Sequence, residues 1–515
     1  MDKPIQGVAK VKVLYRRYLT LFATIFFLGG VSDHSLSHAQ SNNSQANIND
    51  LSIDFTLKPC QIKSGPKSID AQCATLRRPE NPDNPDGKQL DLFIAKFAAR
   101  STDPEADAFT IIQGGPGGSS IDLYMGLQSI FHEIRAHRDI IVIDQRGTGR
   151  SNLLGCPEIA ENQVVNPDEI RRLAIQCRQD LEARTNSDLS FYTTSLAVQD
   201  LEALRIAAGY TQLTIYGVSY GTRVAQHYLR RFTESTRAVI LDGVVPVGLN
   251  LAGGEIARRS QAAFDNMVQR CNDSEDCVAQ FGDLERKFKE LRQRLKDQPM
   301  TVSLPDPYTG KPTSQLVNDQ NLLAAIRLMP YSTEQLSLLP NLIATAHAGD
   351  YLGLAAFSKI ITERFKEAYA IGMNNSVMCA EDAPFVKQSD LLGIDDTYFG
   401  TLMVDAVSAT CQEWPRGPMD DDFRDAFDSK QPVLILSGET DPITPPDNGE
   451  IANQMLSNSL HLVVPAHGHG VISKGCIPQL ASDFVEHVDL SLLNPNCIKR
   501  ERASPFFFGT TGPQP

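Results

Sequence analysis

A serine between two glycines occupies the place where a nucleophile would be exposed at the end of a strand. Residues Leu213–Tyr216 favour a β-strand, a Gly-x-Ser-x-Gly motif centred on Ser219 fills residues 217–221, and a helical pattern covers residues 222–231. A sharp strand–helix turn of this kind needs small residues beside the serine. The hydroxyl of Ser219 is then open to activation by a base. The alternative is a tight turn without chemistry.

A carboxylate suited to orienting a histidine follows a late strand. The apolar run Val433–Leu436 predicts that strand, and Asp441 lies in the loop just beyond it. In Ser-His-Asp chemistry such an acid holds the histidine in the required tautomer. Glu439 is the competing acid, and an aspartate that only caps a turn or helix is the simpler alternative for Asp441.

A candidate base follows the next strand. The run Leu460–Val464 predicts the strand, and His467 and His469 lie in the glycine-containing loop after it. We favour His469, which has a glycine on each side, as the general base. The other histidine then has a different role, such as a hydrogen bond within the loop.

A glycine-rich loop at residues 113–118 follows an early apolar run at Phe109–Gln113. Acyl transfer needs two backbone N–H groups to stabilise the oxyanion, and we expect those of Gly115 and Tyr220. A phosphate loop is the rival interpretation, but the Gly-Lys-Ser/Thr sequence that it requires is missing. We predict nucleophilic catalysis by Ser219 that needs no metal or organic cofactor.

The elements that position these groups are short apolar strands alternating with helices. Further strands are predicted at Leu51–Leu57, Cys73–Arg77, Leu90–Ala98, Asp139–Asp144 and Ala238–Leu241, and a helix at Thr194–Gly209. This alternation indicates an α/β fold with a mostly parallel sheet covered on both faces. Between Pro246 and about Lys430 the pattern becomes helical. We therefore expect a core at 40–247, a helical cap insertion at 248–430 and the rest of the core at 431–515.

Composition and the first residues restrict the class of protein. The chain of 515 residues is 42% hydrophobic and carries a net charge of −14, which argues against nucleic acid as a partner. Basic residues precede an apolar run at Leu19–Val31 that is short for a membrane span, and a small-x-small site ends at Ala39. We predict a signal peptide at 1–39 and export to the periplasm or beyond. An uncleaved anchor is the alternative, and no later segment resembles a membrane helix.

Ten cysteines in an exported chain favour disulfides. They form five near pairs, namely Cys60 and Cys73, Cys156 and Cys177, Cys271 and Cys277, Cys379 and Cys411, and Cys476 and Cys497. We predict nearest-neighbour pairing, with buried free thiols as the alternative. No Cys-x-x-Cys occurs, so a zinc site is not expected.

With these motifs the chain resembles the proline iminopeptidase and tripeptidyl aminopeptidase group of α/β-hydrolases (peptidase S33, TAP-like). Residues 114–117, Gly-Gly-Pro-Gly, resemble the oxyanion motif of that group, and residues 144–151 resemble its Asp-Gln-Arg-Gly-x-Gly-x-Ser signature. The resemblance covers roughly 50–250 and 370–500. Gln113 departs from it, because iminopeptidases often have histidine there.

The resemblance implies an exported serine exopeptidase that removes residues or short peptides from a free N-terminus. It also implies that Glu381, in a cap segment that Cys379 could pin through Cys411, binds the substrate ammonium group. A solvated acidic pair that caps a helix is the alternative for Glu381. Trp414 either lines the pocket or packs in the core.

Two rival functions use the same fold. One is an esterase or amidase that acts on small molecules with the same triad, and the other is a binding protein without catalysis. The sequence leaves open whether one residue or a tripeptide is released, whether proline is preferred, and which oligomeric state the chain adopts.

Overall fold

The computed structural model of the chain describes residues 55–65, 67–157, 166–306 and 309–509, and only the backbone of 364–368. The predicted signal peptide at 1–39 lies outside these residues. No helix in the described part is long and apolar enough to cross a membrane.

The core is a nine-stranded sheet with the order β1-β2-β3-β5-β4-β6-β7-β10-β11. The strands are β1 (Lys58–Ser64), β2 (Lys67–Pro79), β3 (Gln89–Phe97), β4 (Ala108–Ile112), β5 (Asp139–Ile143), β6 (Leu213–Val218), β7 (Thr236–Asp242), β10 (Val433–Gly438) and β11 (Ser459–Val464). Strands β1, β2, β3 and β5 pair in antiparallel fashion, and the pairs from β5 through β4 to β11 are parallel. The predicted α/β architecture is confirmed.

Helices cover both faces of this sheet, which explains why its central strands are almost entirely apolar. The core helices are α1 (Ser120–Leu127), α2 (Ile134–His137), α3 (Pro167–Thr185), α4 (Thr194–Ala208), α5 (Tyr220–Arg231), α15 (Pro446–Met455) and α16 (Ile477–His487). Helices α3, α4, α5 and α15 contribute to the apolar cluster on one face. Helices α1, α2 and α16 contribute to the cluster on the other face.

Most of the chain between β7 and β10 is helical. It contains α6 (Glu255–Asn272), α7 (Glu275–Phe281), α8 (Leu284–Asp297), α9 (Asp319–Leu328), α10 (Thr333–Leu336), α11 (Leu339–His347), α12 (Leu352–Ala368), α13 (Ile371–Val377) and α14 (Leu402–Cys411). Helices α6 to α12 build an apolar cluster of their own. The residues Ala370, Met373, Val377, Cys379 and Trp414 instead add side chains to the core cluster around α3 to α5. Tyr398 and Phe399, between them in the chain, belong to the cluster of the inserted helices.

Two parts of the strand prediction are wrong. Residues 55–57 of the predicted strand Leu51–Leu57 are not in a strand, and 51–54 lie outside the described residues. The edge strand β1 begins at Lys58 and buries only Ile62, so it lacks an apolar pattern. The predicted helical region also contains a hairpin of β8 (Met300–Pro305) and β9 (Pro312–Val317), whose strands are largely exposed.

All five predicted nearest-neighbour disulfides are confirmed, from Cys60–Cys73 to Cys476–Cys497. The Cys379–Cys411 bond joins the π-helical turn Met378–Asp382 to α14. Disulfides in this number are typical of proteins that fold in an oxidising compartment.

The signature at 144–151 connects the sheet to its surrounding loops. The buried carboxylate of Asp144 accepts hydrogen bonds from the Ser119 hydroxyl at 2.7 Å and from the Arg150 N–H at 2.9 Å. The buried guanidinium of Arg146 binds both carboxylate oxygens of Asp200 at 2.7 and 2.9 Å, and donates to the carbonyl of Phe191. These contacts hold the glycine-rich loop and α4 in place around β5.

Replacing Arg146 tests this arrangement. We expect Arg146→Met to lower the free energy of unfolding by about 3 kcal/mol, because the buried carboxylate of Asp200 loses its bidentate partner. Urea unfolding with the disulfides intact measures the effect. Arg172→Met, which removes an exposed pair with Glu169, should leave stability nearly unchanged because solvent screens that pair. Equal effects of the two substitutions would contradict this role for Arg146.

Candidate active site

Ser219 lies at the turn between β6 and α5, as the motif predicts. Its backbone has φ 57° and ψ −126°, a strained conformation for a residue with a side chain. A Cβ atom at Gly217 would lie 2.4 Å from the carbonyl oxygen of Gly221, and one at Gly221 would lie 2.3 Å from that of Ile112. Both glycines are therefore required by close packing around the serine.

Asp441 and His469 meet beyond the ends of β10 and β11. The Nδ1 atom of His469 lies 2.8 Å from Oδ2 of Asp441. The other oxygen of Asp441 accepts the N–H groups of Ile443 and Thr444 at 2.8 and 2.9 Å. The Thr444 hydroxyl donates to Oδ2 at 2.8 Å and lies 3.0 Å from Nδ1 of His469. Thr444 was missed by the sequence analysis, although it follows Asp441 by three residues in the same loop.

The competing residues point to other partners. His467 pairs with Glu501 through its Nε2 atom at 2.8 Å. Glu439 is exposed and accepts the N–H of Ala466. Asp441 and His469 therefore form the acid–base pair, whereas Glu439 and His467 form hydrogen bonds with other residues.

The electrostatics of the pair suit a general base. Burial alone would lower the pKa of His469, but the charge and hydrogen bond of Asp441 outweigh it and hold the pKa above its ordinary value. Burial favours a raised pKa for Asp441, yet His469 and the N–H groups of Thr444 and Ile443 bring it below its ordinary value. Asp441 therefore stays ionised and stabilises the imidazolium.

A second buried carboxylate supports the loop after His469. Asp242, at the end of β7, accepts the N–H groups of Val471 and Ile472 at 2.9 Å and the hydroxyl of Tyr216 at 2.9 Å. Its negative charge contributes to the raised pKa of His469. Asp242 directly follows the predicted strand Ala238–Leu241, but its support of the loop was not predictable, because Val471 and Ile472 are more than 200 residues away.

Tyr331, between α9 and α10, also contacts His469. Its carbonyl accepts the His469 N–H at 2.9 Å, and the two ring centroids are 4.8 Å apart in an edge-on arrangement. The inserted helical segment therefore forms one wall beside the candidate base.

The glycine-rich loop lies directly against the serine. A Cβ atom at Gly114 would lie 2.6 Å from Cβ of Ser219. The Gln113 side chain accepts the Gly114 N–H at 2.8 Å, and the Ala370 N–H donates to the carbonyl of Gly117 at 3.0 Å. This placement agrees with an oxyanion role for the N–H groups of Gly115 and Tyr220, which stays a prediction.

Glu381 is fully buried and is bound by groups of the protein. Its two oxygens accept the N–H and the hydroxyl of Thr194 at 2.7 and 2.9 Å, and the same hydroxyl lies 2.7 Å from that of Tyr220. Arg223 lies 3.5 Å from Glu381 and binds Asp382 at 2.7 and 2.9 Å. Burial raises the pKa of Glu381 to about 7, against the lowering effects of Arg223 and Thr194.

The acidic pair at 381–382 is therefore buried rather than solvated. Neither oxygen of Glu381 is exposed to solvent, so binding of an ammonium group requires displacement of Thr194. Trp414 is buried in the core cluster and donates from its indole N–H to the Ser376 hydroxyl at 3.0 Å. Its role in the structure is packing.

A strained serine, a His–Asp pair and a glycine loop on a doubly covered sheet define a serine hydrolase. The alpha/beta hydrolase fold family matches residues 107–475, and the chain belongs to that family. No group of three or more metal-binding side chains occurs within the residues that the structure describes.

Relatives of known name include peptidases and an esterase. The serine protease Hip1 of Mycobacterium tuberculosis is 26% identical over 475 residues, which span 83% of this chain and 88% of Hip1. Carboxylesterase B of the same organism is 29% identical and covers 40% of this chain and 43% of its own length. The proline iminopeptidase of Xylella fastidiosa is 28% identical over 141 residues, 27% of this chain and 33% of its own.

Gly114 offers a test of the glycine loop. We expect Gly114→Ala to lower kcat/KM at least about 100-fold, because the added methyl group displaces the loop from Ser219 and disturbs the oxyanion site. Hydrolysis of an activated ester measures the loss. Gly126→Ala, in α1 with nothing near the new methyl group, is the matched control and should keep full activity. A fully active Gly114→Ala enzyme would contradict this placement of the loop.

The pH dependence tests the base. Catalysis requires neutral His469, so kcat/KM should rise with pH through a midpoint above about 6.5, the ordinary value for histidine. Asp441→Asn removes the charge that raises the pKa of His469 and should move this midpoint to lower pH. It should also reduce the plateau about 10⁴-fold. An unshifted acid limb in Asp441→Asn would show that His469 is not the titrating base.

Proposed function

We propose that this protein is an exported serine exopeptidase that acts on short peptides with a free N-terminus. The observation that carries the proposal is the 2.8 Å contact between His469 and buried Asp441, together with the strained conformation of Ser219 at the carboxyl end of a strand in the same sheet. This arrangement provides a base for a serine nucleophile.

The proposed reaction proceeds through an acyl-enzyme. The Oγ atom of Ser219 attacks the scissile carbonyl while Nε2 of His469 takes its proton. The N–H groups of Gly115 and Tyr220 stabilise the resulting oxyanion. His469 then protonates the leaving amine as the C–N bond breaks. Water, deprotonated by His469, releases the acyl part and restores Ser219.

Peptidase activity is favoured by the similarity to a relative that covers most of this chain. The similarity to the serine protease Hip1 extends over most of both chains and so includes the inserted helical segment. The carboxylesterase relative matches less than half of this chain. An esterase with the same triad is therefore the second candidate.

The preference for a free N-terminus depends on the family resemblance and on Glu381. The carboxylate of Glu381 lies behind Tyr220, linked to it through Thr194. A substrate ammonium group that displaces Thr194 would gain a charge-assisted hydrogen bond in a site shielded from water. Export is supported by the five disulfides.

A substrate panel tests the proposal. We expect an unblocked aminoacyl- or peptidyl-anilide to be cleaved at least about tenfold more efficiently than its N-acetylated form, and Ser219→Ala to abolish turnover of both. Glu381→Gln should reduce this discrimination, because the amide cannot pair with the ammonium charge. Preference for the acetylated anilide or for a p-nitrophenyl ester would support the esterase instead. Unchanged discrimination in Glu381→Gln would remove Glu381 from substrate binding.

A further inference from the structure

Arg327 places a positive charge beside the candidate catalytic histidine. It lies in the last turn of α9 and is half-buried. Tyr331, four residues later, packs its ring on that of His469, and its backbone carbonyl accepts the backbone N–H of His469. Burial raises the pKa of Tyr331 and of Tyr369, and Asp441 raises the pKa of His469 against the effect of burial. The charge of Arg327 opposes each of these rises. Arg327 therefore belongs to the same stretch of the insertion as the tyrosine that packs on the candidate base, and its charge acts on both residues.

Half-buried Arg327 lacks the carboxylate partner that the buried side chains of Arg146 and Arg223 have. Arg146 and Arg223 each bind both oxygens of an aspartate. Arg327 forms no ion pair with any residue that the structure describes, and its buried Nε atom has no hydrogen-bond partner there. Its guanidinium is within hydrogen-bonding reach of the Tyr331 side chain, but no carboxylate of the described residues neutralises its charge, so an anion from outside the chain can do so.

The chemistry of His469 indicates which side of the scissile bond lies nearest to Arg327. The base that accepts the proton of Ser219 later gives it to the leaving amine. Groups that pack around His469 are therefore closest to the part of the substrate that leaves first. Tyr331 belongs to this set and Arg327 lies four residues before it, whereas the Gly114 loop lies against the nucleophile.

We propose that Arg327 binds a substrate carboxylate on the leaving-group side of the scissile bond. The planar guanidinium offers two parallel N–H donors that match a carboxylate, and partial burial strengthens the interaction. This inference rests on the proposed peptidase activity. It makes the preferred substrates short peptides whose released part ends in a free carboxylate or carries an acidic side chain.

Three substrates with the same unblocked acyl part separate these two sources of carboxylate. The released parts are alanine, alaninamide and aspartic acid α-amide. We expect the enzyme to prefer at least one of the two anionic substrates over the alaninamide substrate by about tenfold or more in kcat/KM. Preference for the alanine substrate identifies the terminal carboxylate, and preference for the aspartic acid α-amide substrate identifies the side chain.

Substitution of Arg327 then tests the assignment. Arg327→Gln should reduce the preference towards one, and Arg327→Lys should retain part of it because the charge remains. The exposed Arg286 of α8 supplies the control, and Arg286→Gln should keep the wild-type ratio. Since each ratio is measured within one protein, a loss of folded enzyme cancels. An unchanged ratio in Arg327→Gln, or no preference in the wild type, would overturn the proposal.

A pair of esters separates this inference from the peptidase proposal. The acetate esters of 4-hydroxybenzoate and 4-hydroxybenzamide differ in one leaving-group charge. If peptides are not cleaved but esters are, the peptidase proposal fails. The role of Arg327 is then still decided by whether Arg327→Gln loses a preference for the benzoate ester.

Discussion

The hydrogen bond between Asp441 and His469 depends on keeping a charged carboxylate inside the protein. Burial disfavours the ionised form of Asp441, and two backbone N–H groups and the Thr444 hydroxyl compensate for the lost water. The ionised acid in turn raises the pKa of His469. The hydrogen bonds from the loop Asp441–Thr444 therefore stabilise the ionised form of Asp441 inside the protein.

The position of His469 is set from two directions. Asp242, at the end of β7, accepts the backbone N–H groups of Val471 and Ile472, which follow His469 in the chain. The carbonyl of Tyr331, in the helical insertion, accepts the backbone N–H of His469 itself. Parallel strands bring their carboxyl ends to one edge of the sheet, which is where such loops converge. The insertion also contacts the glycine loop through Ala370, so the cap and the catalytic edge form one connected structure.

The features that were predictable from the sequence are those encoded locally. Strands β4 to β7 and β10 each contain a short, mainly apolar run, and the elbow at Ser219 needs its glycines within two residues. The order of serine, acid and base after successive strands singled out Asp441 and His469. Cysteines that are neighbours in the sequence form disulfides because the two members of each pair lie in segments that are close in both sequence and space.

The features that were missed depend on distant partners. Strand β1 has a polar edge pattern, and the β8–β9 hairpin is mostly exposed, so neither shows an apolar period. Val471 and Ile472, which Asp242 binds, lie more than 200 residues away from it, and Glu381 reaches Thr194 across 187 residues. A residue type and its neighbours in sequence do not reveal such contacts.

The central claim is that His469, held by Asp441, activates Ser219 as a nucleophile. Reaction of the intact protein with a fluorophosphonate, followed by peptide mass spectrometry, tests this claim most directly. The account predicts one phosphonyl group on Ser219 and at least about 100-fold slower labelling in His469→Ala. Labelling at another residue, or unchanged labelling of Ser219 in His469→Ala, would contradict it.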